Sequence, residues 1–124
     1  MRAAVVREFN EDLSIETVED PKCPDNGEVL KVAACGVCRS DFHGWVGGHL
    51  KVINGSIMGH EYCGTVVEAG AQAKHKVGDK LIAPFILGCG DCPACHVGAS
   101  NTCESAVVPG FGAPGAYAEF VAVP

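Results

Sequence analysis

Four cysteines, Cys89, Cys92, Cys95 and Cys103, are spaced C-x2-C-x2-C-x7-C, with Gly90 and Pro93 in the gaps. A fold for this chain must gather these sulfurs into one small lobe or leave four stray thiols. Two-residue gaps with Gly and Pro allow the tight turns that bring thiolates around tetrahedral zinc, a closed and redox-inert arrangement that serves structure. Two alternatives compete: an iron–sulfur cluster, which thiolates at such gaps also hold, and a pair of disulfides. The ferredoxin run places its fourth cysteine after three residues and before a proline. Here Cys103 follows after seven and precedes Glu104. The opening Met1-Arg2-Ala3-Ala4-Val5-Val6-Arg7 lacks the apolar core of a secretory signal. A cytoplasmic, reducing location is therefore expected, and in it eight cysteines point to metal rather than disulfides.

The rest of the chain reads as mainly β. Ala3 to Val6, Leu13 to Val18, Glu28 to Ala34, Tyr62 to Ala69, Lys80 to Ala83 and Ala116 to Val123 are rich in Val, Ile, Ala and aromatics. Asp25-Asn26-Gly27, Gly70, Gly78-Asp79 and Pro114-Gly115 punctuate them as turns. Sixteen glycines and seven prolines suit a partial barrel with many corners, and no segment keeps an apolar period near 3.6 residues. Short helices are predicted only at Arg39 to Val46 and around Pro93 to Val97. At 124 residues the chain has room for one domain, 1–124, with the cysteine lobe at 88–104. A complete dinucleotide-binding domain does not fit beside it. The net charge of −6, without a Lys/Arg-rich run, gives no support to a nucleic-acid surface, and no apolar run is long enough to span a bilayer.

A second constellation is split between Gly36-Val37-Cys38-Arg39-Ser40-Asp41-Phe42-His43 and Gly59-His60-Glu61-Tyr62-Cys63-Gly64. A catalytic zinc takes a few N and S ligands and keeps one position open, so Cys38 and His60 are natural candidates. Each alone is ordinary, since a single Cys is more often a small buried hydrophobe. His60-Glu61 is not the helical H-E-x-x-H motif, because Gly64 stands where the second His belongs.

Gly36-Val37-Cys38-Arg39-Ser40-Asp41, then Gly59-His60-Glu61-x2-Gly64-x5-Gly70, then the lobe from Cys89 to Cys103, resemble in order and spacing the N-terminal catalytic domain of the zinc-containing medium-chain alcohol dehydrogenases. The resemblance covers essentially the whole chain. It implies a GroES-like partial β-barrel with short helices and a four-cysteine zinc lobe, and an enzyme that interconverts a small alcohol and an aldehyde or ketone with NAD or NADP. It also implies that Cys38 and His60 are catalytic-zinc ligands and that Glu61 is an alternative ligand beside the metal. Asp41 is expected to accept a hydrogen bond from the His60 ring. Ser40 is expected to take the substrate proton and relay it through the cofactor ribose to His43, and Arg39 to meet the cofactor pyrophosphate. Cys89, Cys92, Cys95 and Cys103 hold the structural zinc in this reading. A third catalytic-zinc ligand and the nucleotide-binding domain are expected beyond Pro124. The isolated chain is then expected to be inactive and to expose apolar surface, and the complete enzyme to be a homo-oligomer.

Other features have plainer readings. Ser40 and Asp41 also suit a helix cap, and Arg39 a solvated charge. Gly110-Phe111-Gly112-Ala113-Pro114-Gly115 satisfies G-x-G-x-x-G, but Pro114 interrupts it and a strand follows, so it reads as a loop. Cys35 reads as a strand residue, Cys23 and Cys63 as small core or surface residues. His49, His75 and His96 lack a supporting constellation. Two other functions stay open: a stand-alone zinc-stabilised binding module, and an iron–sulfur electron carrier. Neither accounts for all three motifs.

Overall fold

Tyr62, Gly64 and Val66 are buried while Cys63 and Thr65 between them are half exposed, the period-two pattern of a strand with one packed face. The computed structural model describes residues 1–124, which form six strands. They are β1 (Arg2–Val5), β2 (Ser14–Thr17), β3 (Glu28–Cys35), β4 (Tyr62–Ala69), β5 (Lys80–Ile82) and β6 (Phe120–Val123). Two short helices, α1 (Arg39–Trp45) and α2 (Pro93–His96), and a 3₁₀ turn at Ser100–Thr102 complete it. No helix is long and apolar enough to cross a membrane.

Strands β5-β4-β3-β6 form one antiparallel sheet, and β1 and β2 form a second, two-stranded one. Isolated bridges Ala3↔Ala118 and Val5↔Ile57 tie β1 to the segments that lead into β6 and β4. The sheets thus curl towards each other without full closure, which is the expected partial barrel. Register shifts in the β3–β4 ladder, between Val29 and Leu30 and between Val32 and Ala34, bend the central pair as bulges do. Five of the six strands lie within a residue or so of the runs read from composition. The exception is Ala116 to Val123, of which only Phe120 to Val123 is strand. The reason is that its first half divides its backbone groups: Tyr117 N donates to Met58, Tyr117 O accepts from Ala4, and Glu119 O accepts from Val32.

Two apolar clusters fill the interior. Leu30, Tyr62, Val66, Ala116, Val121 and Val123 pack within the four-stranded sheet's face, and Val6, Val52, Met58 and Phe111 pack beneath β1 and the loop after α1. Tyr62 brings a hydroxyl into the first cluster that is buried with no hydrogen-bond partner, and burial pushes its ionisation above the usual phenol range. An unsatisfied buried donor costs about 1–3 kcal/mol. Tyr62→Phe is therefore expected to stabilise the chain by about 1 kcal/mol, read as a higher urea midpoint, because the ring stays and only the orphaned group leaves.

The second sheet carries an ion pair. Arg7 Nε donates to Glu16 Oε1 at 2.7 Å, and Arg7 also meets Asn54 Oδ1 at 3.2 Å. The Arg7 guanidinium, with help from Ser14, lowers the Glu16 carboxyl from the ordinary 4.5 to about 2. A depressed carboxylate contributes stability above its unfolded-state pKa and loses it as the pH falls towards the folded value. Acidification from about pH 4.5 to 2 is thus expected to erode the wild type more than Arg7→Gln, and NMR titration of the Glu16 carboxyl should show its midpoint rising in that variant.

Candidate metal centres

The cysteine lobe forms as its spacing requires. Pro93 begins α2, where a missing N–H costs nothing, and the positive φ of Gly90, +80°, lets the chain double back between Cys89 and Cys92. The 3₁₀ turn at Ser100–Thr102 returns the chain to Cys103, the one buried member at 7% exposure. The four sulfurs lie within 4.8 Å of one another, and all eight cysteines of the chain are free thiols. Cys89 N–H points at Cys103 Sγ, 3.4 Å away. The Asp91 and Cys92 amides, then Cys103, pull the Cys89 thiol down to about 6. At Cys95 the Gly90 amide also pulls down, but burial and the Cys92, Cys103 and Cys89 sulfurs outweigh it and hold that thiol up at about 11. Four such sulfurs cannot all ionise without a counter-charge. Their amide donors and mutual repulsion fit a thiolate-seeking dication such as zinc.

The second set sits where α1 meets the start of β4. Cys38 is the N-cap of α1, and Asp41 Oδ2 accepts its backbone N–H at 2.9 Å. Asp41 Oδ1 accepts Gly59 N–H at 3.3 Å, so one carboxylate, 2% exposed, fixes the backbone beside both Cys38 and His60. It therefore caps the helix and joins the two segments at once. His60, 4% exposed, has Nδ1 3.2 Å from Asp41 Oδ1, but the ring N–H is not aimed at that oxygen and has no aligned acceptor. The contact is one of proximity, and the carboxylate's hydrogen bonds go to the two amides. On the other ring edge, Nε2 lies 3.1 Å from Ser40 Oγ, which in turn donates to Cys38 Sγ at 3.3 Å.

The donor atoms of Cys38, His60 and Glu61 all lie within 4.8 Å of one another, a spread that donors 2.0 to 2.3 Å from a shared ion can span with little movement. One sulfur, one imidazole and one exposed carboxylate make an open, mixed set that fits a zinc-type ion as chemistry, unlike the closed sulfur set of the lobe. Phe111 packs on the His60 ring at 5.1 Å between centroids and on the His49 ring at 4.5 Å. Its turn is the G-x-G-x-x-G stretch, with φ of +85° at Gly110 and +87° at Gly112, and no helix follows it.

Among the remaining candidates, Arg39 is exposed and stands 5.7 Å over the Phe42 ring. His43 is exposed one turn after Ser40, with no direct hydrogen bond between them. His75 is drawn into structure: its Nδ1 and backbone N both meet Oε1 of the buried Glu28 at 3.0 Å. His96 has only a 3.7 Å contact with Asp91. Glu28, Phe111 and Tyr117 were not singled out from sequence, because a lone acid in a strand and an aromatic in a loop carry no spacing signal.

A partial β-barrel that carries one closed thiolate cluster and one open mixed cluster defines a domain with two candidate metal centres. Residues 25–124 match the alcohol dehydrogenase GroES-like domain, and the chain belongs to that family. An alcohol dehydrogenase of Geobacillus stearothermophilus is 39% identical over 127 aligned residues, covering 100% of this chain and 38% of that protein. The cobalt- and zinc-bound thermostable alcohol dehydrogenase of Pyrobaculum aerophilum superposes with a TM-score of 0.88 at 30% identity, over 100% of this chain and 39% of its own. An E. coli CFT073 alcohol dehydrogenase complexed with NADH gives 0.85 at 29% identity, over 100% of this chain and 36% of its own. The chain thus spans less than two fifths of each of these relatives.

Proposed function

We propose that this chain is the N-terminal, metal-binding part of a zinc-dependent dehydrogenase that interconverts a small alcohol and an aldehyde or ketone with NAD or NADP. The convergence of the Cys38, His60 and Glu61 donors beside the Ser40 hydroxyl, on a domain of this family, carries the reading. Relatives solved with zinc or NADH support the choice of cofactors.

Cys38 and His60 hold the catalytic metal, and Glu61 stands beside it as an alternative ligand. Cys89, Cys92, Cys95 and Cys103 hold the structural zinc. When bound, the metal would supply Lewis acidity that favours loss of the alcohol proton, and the nicotinamide would serve as hydride acceptor. Asp41 anchors the backbone on either side of the ligand pair. Ser40 Oγ, poised between Cys38 Sγ and His60 Nε2, accepts the substrate hydroxyl proton and hands it on towards His43, whose exposed ring exchanges it with solvent. Arg39, exposed on α1, would meet the cofactor pyrophosphate. The substrate is a small molecule, and the whole enzyme is a cytoplasmic homo-oligomer.

General acid–base groups contribute about 10²–10⁴-fold to rate. In the complete enzyme, Ser40→Ala should lower kcat by that order while both metals stay bound, as shown by elemental analysis. Unchanged turnover in the variant would remove Ser40 from the relay, and absence of alcohol-dependent reduction of NAD or NADP by the parent enzyme would overturn the function itself.

A further inference from the structure

Cys38 and His60 belong to segments far apart in sequence, and one side chain spans the gap between them from behind. Tyr117 N donates to Met58 O at 2.9 Å, in a short ladder with Gly115 N to Ile57 O at 2.8 Å and Ala116 N to Gly59 O at 2.9 Å. This ladder grips the three residues that lead into His60. The Tyr117 ring lies against Gly59, whose φ is +94° and whose missing Cβ would stand 2.6 Å from the ring's Cδ1. Only glycine allows so close an approach there. At its far end the Tyr117 hydroxyl donates to Gly36 O at 3.4 Å, a long bond, while Gly36 N donates to Glu61 O at 2.7 Å. The peptide groups that flank Gly36, two residues before Cys38, are thus bound on one side by the His60 segment and on the other by Tyr117. Burial, and after it the Asp41 charge, raise the phenol's ionisation above its usual range, so the hydroxyl keeps its proton for the bond to Gly36.

We infer that Tyr117 is a positioning residue, a strut whose ring and hydroxyl set the distance between the Cys38 loop and His60 and so preform their metal site. The inference rests on the reading that Cys38 and His60 share a metal. Residues that orient metal ligands typically change affinity by 10–100-fold when removed. Leucine at this position keeps apolar bulk but loses the flat ring and the hydroxyl, and phenylalanine loses the hydroxyl alone.

The test is zinc protection of cysteines against alkylation in the complete protein that carries this chain, at buffered free zinc concentrations, with each cysteine followed by peptide mass mapping. Tyr117→Leu should raise the zinc concentration that half-protects Cys38 by roughly tenfold, with Tyr117→Phe between it and the wild type. Cys89, Cys92, Cys95 and Cys103 serve as the internal control and should not move. If zinc protects Cys38 equally in all three proteins, the positioning role is overturned and the metal reading stands. If Cys38 and the four lobe cysteines weaken together, the residue supports the fold at large and the specific role is likewise overturned. Zinc protection of Cys38 in none of them would overturn the metal reading and this inference with it.

Discussion

Cys103→Ser should empty the lobe of its metal and leave the rest of the barrel folded. Cys103 is the most buried of the four sulfurs and receives the Cys89 amide, so its loss removes both a ligand and the inner wall of the cluster. Structural zinc sites are coupled to the folding of the segment that binds them, and a three-sulfur remnant should bind zinc weaker by orders of magnitude. Leu87 and Val107 bridge each other at the base of the lobe and hold its two ends together, so the lobe should loosen without unthreading the sheets. Elemental analysis should show one zinc fewer per chain, and hydrogen exchange should rise from Cys89 to Cys103 with little change in β3 and β4. Retention of the metal at wild-type affinity would mean that the lobe is not a four-thiolate site.

Leu30→Ala should reach the whole domain instead. Leu30 is fully buried in β3, which is hydrogen-bonded to β4 on one side and β6 on the other, and it faces Tyr62, Val66, Ala116, Val121 and Val123. Removing such a leucine costs about 3–5 kcal/mol, set by how far the surroundings collapse into the space. Domains of this size have about 5–15 kcal/mol in total. The variant is therefore expected to lose a large share of its stability, read as a urea midpoint far below that of the wild type. A loss under 1 kcal/mol would mean that β3 is not the centre of the core.

These two results differ because the two regions announce themselves differently in sequence. The lobe is local: sulfurs at two-residue gaps must meet, and the turn-forming Gly90 and Pro93 between them leave few other shapes. The strands are legible from their Val, Ile, Ala and aromatic composition between turn-formers, and a short helix over Arg39 to Val46 is legible beside the Cys38 loop. What stayed hidden depends on contacts between distant residues. The first half of the Ala116 to Val123 run has strand composition, yet its peptide groups serve Ala4, Met58 and Val32 in turn, which no local propensity records. Asp41 is expected to partner the His60 ring and its Oδ1 does lie 3.2 Å from His60 Nδ1, but that its oxygens also take the Cys38 and Gly59 amides is not legible from spacing. Tyr117 carried no signal because its role is set by Gly59 and Gly36, far along the chain.

The bridge from Val5 to Ile57, together with the bond from Gly115 to Ile57, has a consequence for variation. The stretch from Val46 to Ser56 leaves α1 and comes back to a pinned landing point, so it is a span with both feet set in the frame. Lengthening a span of this kind costs little entropy, about 0.6 kcal/mol per doubling. New residues inserted at Leu50, which is fully exposed, extend into solvent, whereas Val52 two residues on is held in the second core cluster. The domain thereby holds the frame around Ile57 fixed while the outer part of that span is free to change in length.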